Sequence, residues 1–217
     1  MVYKFFPNLK NSEKGISLVE LVVVIFIITL FSLIIISDFP KIQRQFALSR
    51  ATYKLAQDLR KAQDLGLSGV TINDKNGVQI PVKGYGVYVN LSQSNAQYLV
   101  YADVGLNDPQ KYSGDPVSLC ADVNQASDGQ LAADCVLEVI NVKDENQSLS
   151  IENPIINTIT GQYTSINFAP PSPIINIDNI NTNNNPPDNS KVGIVLKNTD
   201  GSTRTVWINT SGLINIQ

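Results

Sequence analysis

No histidine occurs among the 217 residues. That absence removes the usual general base and metal ligand, and with them the Ser-His and Cys-His forms of nucleophilic catalysis. The two cysteines, Cys120 and Cys135, are too few for a thiolate zinc site without histidine, and they do not form a Cys-x-x-Cys pair. Two unpaired thiols or a disulfide across a polar loop are the alternatives. The disulfide is the expectation; it would stabilise its domain by roughly 3 kcal/mol and place it outside the cytoplasm. No cofactor is implied, and no catalytic constellation supports an enzyme.

Charge is also sparse, and it is segregated. Residues 1–15 carry a net +2, residues 41–65 a net +4 and residues 66–217 a net -7, within a total of -3. An acidic C-terminal part argues against a generally basic surface for nucleic acid, leaving only a local patch open. The length suits one globular domain of about 150 residues beyond the N-terminal region.

A long apolar run is present. Ile16 to Ile36 is aliphatic or aromatic except for Ser17, Glu20, Thr29 and Ser32, and at about 1.5 Å per residue such a helix spans a bilayer core. A cleaved secretory signal has a hydrophobic core of about 7–15 residues followed by small residues. Here the run is longer and ends in Ser37-Asp38-Phe39-Pro40. Glu20 stands out, because a carboxylate at the bilayer centre costs roughly 3 kcal/mol on insertion scales, and less near the interface. It needs a partner.

Past Pro40, Leu48, Ala51, Leu55, Leu59, Ala62 and Leu65 recur at steps of three and four, with Arg50, Lys54, Asp58, Lys61 and Asp64 between them. One long helix from about Ile16 to Leu65 is predicted, roughly 75 Å if continuous. Pro40 should kink it, and Gly66 and Gly69 should stop it. Strand signals follow at 78–82, 84–91, 97–103, 135–142, 148–152, 163–168, 191–197, 203–209 and 213–217, with a hairpin at Asn198-Thr199-Asp200-Gly201. Asn176 to Ser190 holds seven asparagines and two prolines and reads as an exposed loop. The expected class is therefore α+β, a long N-terminal helix packed on an antiparallel sheet head. Its regions would be a leader (1–15), a helix (16–66, with 16–37 in the membrane and 41–66 amphipathic) and a β-rich domain (67–217).

Lys14-Gly15 before Ile16, Glu20 as the fifth residue after that junction, and an apolar helix running into an amphipathic one resemble type IV prepilins and type II secretion pseudopilins. The resemblance implies a structural subunit of a pilus or pseudopilus. A prepilin peptidase would cut between Gly15 and Ile16 and methylate the Ile16 amine, and Glu20 would neutralise that amine on a neighbouring subunit. The first mature residue is commonly Phe in that family and is Ile16 here, and Pro40 falls slightly later than the family's usual proline. Gly84-Tyr85-Gly86-Val87-Tyr88-Val89, Tyr98-Leu99-Val100-Tyr101-Ala102-Asp103 and Trp207-Ile208-Asn209-Thr210-Ser211-Gly212 look like minor pseudopilins of the H type and their fimbrial relatives.

The implied partners are the peptidase, other pilin or pseudopilin subunits and the cytoplasmic membrane. Counting positive charges at the two membrane ends favours the opposite orientation. The resemblance, and a Cys120–Cys135 bond, place the head outside, as a single-pass membrane protein that later joins a periplasmic or cell-surface filament. Some fimbrial pseudopilins bind DNA, and Lys191, Lys197 and Arg204 are the candidates for that alternative. Asp103, Asn107, Asp108 and Asp115 offer hard oxygens for calcium, without an EF-hand pattern, and a solvated acidic turn is the plainer reading. Asn90, Asn146 and Asn209 stand in Asn-x-Ser triplets that are short enough to arise by chance.

Overall fold

The computed structural model describes residues 15–105, 112–113, 118–122, 133–156, 159–170, 174–178 and 191–217. The chain divides into two compact units, one ending at Ile42 and the other running Gln43–Gln217. Helix α1 covers Leu18–Ser68, two residues later at its start and three later at its end than the periodicity predicts, and Pro40 is accommodated inside it.

Among the described residues twelve strands follow α1: β1 (Ile72–Asn73), β2 (Gln79–Ile80), β3 (Gly84–Asn90), β4 (Gln97–Asp103), β5 (Cys135–Asn141), β6 (Leu149–Ile156), β7 (Ile159–Thr160), β8 (Tyr163–Ala169), β9 (Ile174–Asp178), β10 (Lys191–Asn198), β11 (Thr203–Asn209) and β12 (Ile214–Ile216). They make a β1-β2 pair and two five-stranded sheets, ordered β12-β11-β10-β6-β7 (sheet I) and β5-β4-β3-β8-β9 (sheet II). Every pairing between these named strands is antiparallel. The α+β class is as expected, with two sheets where one was anticipated. Strand β9 was not foreseen: Asn176, Ile177 and Asp178, assigned from composition to a loop, pair with Asn167, Ile166 and Ser165 of β8. The rest of that asparagine-rich stretch, 179–190, lies outside the described residues.

Asparagine shapes several of the turns. Asn90, Asn146 and Asn209 each accept the backbone N–H two residues on, from Ser92, Ser148 and Ser211. These are Asx turns, in which the side-chain amide imitates a backbone turn, and they give the three Asn-x-Ser triplets a structural meaning. In the β10–β11 hairpin the Asn198 side chain accepts from both Asp200 and Ser202, while Gly201 takes φ 84°. That left-handed value costs glycine nothing.

The core joins one stripe of α1 to the inner faces of both sheets. Ala47, Leu48, Ala51, Leu55, Ala56, Leu59 and Ala62 are buried with Tyr85, Val87 and Val89 of β3, Tyr98 and Val100 of β4, Ile166 and Phe168 of β8, Val192, Ile194 and Leu196 of β10, and Val206 and Ile208 of β11. Burial of each large aliphatic chain contributes roughly 1.5–3 kcal/mol.

Two residues of the helix differ from the sequence-based expectation. Asp58, expected on the solvated face, is only 7 % exposed. It accepts a 2.6 Å hydrogen bond from the Tyr98 hydroxyl and lies 3.6 Å from Lys54 Nζ, so the buried carboxylate is partnered. Gly66, expected to end the helix, sits inside it because the chain crosses β8 there: a Cβ would lie 2.4 Å from the carbonyl oxygen of Phe168. Gly69, with φ 59°, follows the end of the helix and supplies the left-handed residue that commonly stops one.

Gly66→Ala is a test of sign. Helix propensity alone favours Ala over Gly by about 1 kcal/mol. Overpacking against the Phe168 backbone should outweigh it, giving net destabilisation of about 1–3 kcal/mol. Urea denaturation of the full chain in detergent checks this, and a stabilised variant would refute the close approach. A second expectation concerns pH. Burial above all, and then the Asp58 hydrogen bond and charge, push the Tyr98 phenol above its usual range; burial does the same for Tyr101. A raised native pKa means stability that is intact below about pH 10 and lost as pH rises beyond it, where only unfolded tyrosines ionise readily. Tyr98→Phe should therefore flatten the fall in the urea midpoint above about pH 10, while costing about 1–3 kcal/mol at neutral pH through the orphaned Asp58 oxygen.

Candidate functional site

The segment that carries the candidate assembly chemistry begins at Gly15. Ser17 precedes α1, and its carbonyl accepts the first helical bond, from Leu21 N at 3.1 Å, which makes Ser17 the N-cap residue and Leu18 the first helical one. Glu20 then occupies the third helical position, in the first turn. Ser17-x-x-Glu20 is the spacing of a capping box, and a carboxylate there also meets the positive end of the helix dipole. The resemblance assigns Glu20 to pairing with an amine of another subunit; the structure adds its position in the first turn of the helix, where no hydrogen bond joins it to Ser17.

From Ile16 to Ile36 the large apolar side chains are all exposed, and this part of α1 is long and apolar enough to cross a membrane. Thr29 and Ser32 return their hydroxyls to the carbonyls of Ile25 and Ile28, at 2.7 and 2.8 Å, so these polar groups are satisfied within the helix. Glu20 has no ion-pair partner among the described residues. A satisfied hydroxyl can face lipid at modest cost, whereas an ionised carboxylate without a counter-charge cannot.

The other candidate residues lie in the head. Cys120 and Cys135 are joined as a disulfide, with Cα atoms 4.9 Å apart. The link holds Leu119 beside Val136, where Cys120 N bonds Val136 O at 2.9 Å and Val136 N bonds Ser118 O at 2.8 Å. Next to it the Asp134 carboxylate, 2 % exposed, accepts from Val104 N, Gly105 N, Ser113 N and the Ser113 hydroxyl at 2.8–3.0 Å. This acceptor ties the connection between β4 and β5 to its two ends. No sequence motif marked it.

Asp103 of the proposed calcium set is 1 % exposed and accepts from Asn167 Nδ2 at 3.2 Å; Asn107, Asp108 and Asp115 lie outside the described residues. Among the described residues no three acidic or cysteine side chains gather as metal ligands. The three cations considered for DNA are not brought into one patch. Lys197 pairs with Glu152 at 3.4 Å, and the Lys191 ammonium lies 5.3 Å from the centroid of the Trp207 ring. Arg204 faces Leu196 across β10 and β11, on the side of the sheet that Leu196 turns to the core.

Residues 10–36 match the prokaryotic N-terminal methylation motif, the prepilin-type signature. No curated protein and no solved structure matches the chain. The motif supports a type IV pilin- or pseudopilin-like protein, and the long N-terminal apolar helix followed by antiparallel sheets is an α+β, pilin-like architecture.

Replacing both Cys120 and Cys135 by Ser should lower the stability of the full chain by roughly 3 kcal/mol, the entropy of closing a loop of that length. Reductant added to the wild type should lower its urea midpoint similarly and leave the double variant unchanged. An equal response of both proteins to reductant would show that the bond contributes nothing.

Proposed function

We propose that the chain is a minor pilin or pseudopilin, a structural subunit of a type IV pilus or type II secretion pseudopilus with no enzymatic role. Residues 1–15 are its leader. Prepilin peptidase cuts between Gly15 and Ile16 and methylates the new Ile16 amine. The apolar half of α1 is stored in the cytoplasmic membrane, with the β-rich head outside the cytoplasm, and then passes into a filament packed against the helices of other subunits.

The single observation that carries this reading is an apolar helix exposed along its length from Leu18 to Ile36, interrupted in its first turn by one carboxylate. An amine and a carboxylate brought together in apolar surroundings repay part of each other's desolvation cost. Glu20 is thereby assigned to the Ile16 amine of a neighbouring subunit. A head outside the cytoplasm is also the compartment in which a Cys120–Cys135 disulfide persists. The alternative of a DNA-binding subunit draws less support, since Lys197 is already paired with Glu152 and Arg204 lies on the other side of the sheet.

Glu20→Ala should leave cleavage intact but exclude the subunit from filaments. Intact-mass analysis of the membrane form is expected to show a chain starting at methylated Ile16 in both wild type and variant, with only the wild type recovered in sheared filaments. Normal incorporation of the variant would remove the amine-pairing role, and a wild-type chain that keeps residues 1–15 would overturn the assignment altogether.

A further inference from the structure

On the face of sheet II turned away from the core, a cavity of about 170 Å³ opens beside the β3–β4 hairpin. Its floor follows from the register. Tyr88 of β3 faces Leu99 of β4, which faces Val139 of β5, so these three side chains form one row across the sheet. Val87, Val89, Tyr98 and Val100, the residues between, point the other way into the core. Asn90 and Gln97 extend the floor toward the hairpin, and Gln93 rises from the turn as one wall.

Among the described residues the lining is uncharged, in a head whose net charge is strongly negative. The nearest carboxylate on β5, Glu138, is turned to the opposite face, where it pairs with Lys54 and Lys61 of α1. The floor is also held in place. The Tyr88 ring lies 4.7 Å from that of Tyr112 and 6.0 Å from that of Tyr163, and its hydroxyl accepts from Asn90 Nδ2 at 3.0 Å. Asn90 is fixed in turn by the bond from Ser92 N. By contrast Gln93 and Gln97 are exposed, and their carboxamides make no hydrogen bond to another described residue.

This is a rigid aromatic and aliphatic floor with two free carboxamides at its rim. Each carboxamide offers a donor and an acceptor together, which suits vicinal hydroxyls; the floor suits the C–H face of a ring; the absence of charge disfavours an ion. We propose that the cavity binds a neutral sugar ring of a glycan. Tyr88, Leu99 and Val139 take the apolar face of the ring, and Gln93 and Gln97 bind its hydroxyls. The site lies wholly within the Gln43–Gln217 unit and does not depend on how α1 is assembled.

The test uses the full chain in a zwitterionic detergent without a sugar headgroup. Saturation-transfer NMR is recorded with glucose, galactose, mannose and N-acetylglucosamine, and with glucuronate as a charged comparator. Transfer to one face of at least one neutral sugar is expected, with weaker transfer to glucuronate. In the Gln93→Ala/Gln97→Ala double variant Kd should rise by roughly tenfold, about the worth of one hydrogen bond. Both positions are exposed, so the variant should keep the wild-type urea midpoint, which is measured alongside. Absence of transfer from all four neutral sugars, equal transfer in the double variant, or preference for glucuronate would each overturn the proposal.

Discussion

Between Ala47 and Gly66 only one stripe of α1 is covered, and the filling of that stripe governs how both sheets are built. Four alanines and a glycine in it, Ala47, Ala51, Ala56, Ala62 and Gly66, keep the helix surface low, so that backbone as well as side chain can approach. Where the stripe ends, Gly66 meets the backbone of β8 itself. Leu48, Leu55 and Leu59 then serve as the bulky residues that reach between strands. A surface of this kind defines the core by shape as much as by apolar area, because overpacking by one methyl group is resisted when the opposing atom is backbone. The one carboxylate in the stripe, Asp58, is tolerated because Tyr98 comes from the facing strand with a hydroxyl at 2.6 Å.

Sheet II repeats the same logic on its other face. A Cβ at Gly86 would lie 2.5 Å from the Tyr101 ring, so the bare strand there makes room for a fully buried phenol. Its hydroxyl meets Ser165 at 2.8 Å and Asn167 at 3.3 Å, and Asn167 continues to Asp103. Buried polar groups chained in this way fix register, since a slip by one residue would strand each of them without a partner. Tyr112 covers the chain of bonds from above, with its backbone N–H on Ser165 and its ring 5.1 Å from that of Tyr101. Asp134 and the disulfide anchor the connection that brings Tyr112 there.

What the sequence disclosed followed from local signals. The helix of α1 was readable from the apolar run and then from the spacing of Leu48, Leu55 and Leu59, and most long strands from β-branched runs between turn residues. The β10–β11 hairpin was readable from Asn198 and Gly201. What it concealed depended on partners far along the chain. Asp58 has the local pattern of a solvated residue, and only Tyr98, 40 positions away, makes its burial affordable. Gly66 reads as a stop unless Phe168 is known to cross it. Strand β9 lies between prolines and asparagines that argue for a loop, yet the edge of β8 supplies the pairing that its composition does not suggest. In the candidate assembly segment the odd carboxylate was visible at once, while its place in the first turn, at the positive end of the helix dipole, required knowing where the helix begins.

That place bears on why Glu20 would need another subunit at all. A carboxylate in the first turn gains about 0.3–1 kcal/mol from the helix dipole, and up to about 2 in favourable buried geometry. The insertion cost of the charge approaches roughly 3 kcal/mol at the bilayer centre and falls toward the interface. On the proposed reading the charge lies near the headgroups while the subunit is stored in the membrane, where water and the helix dipole hold it without a counter-ion. Drawn into the apolar interior of a filament, the same charge loses the water and headgroups that screened it, and a half-charge at a helix end no longer balances the loss. A full positive charge does. On the proposed reading the amine freed by cleavage at Ile16 is the nearest source of one, and since the leader leaves that amine locked in a peptide bond, an uncleaved subunit would carry the cost of Glu20 without its remedy.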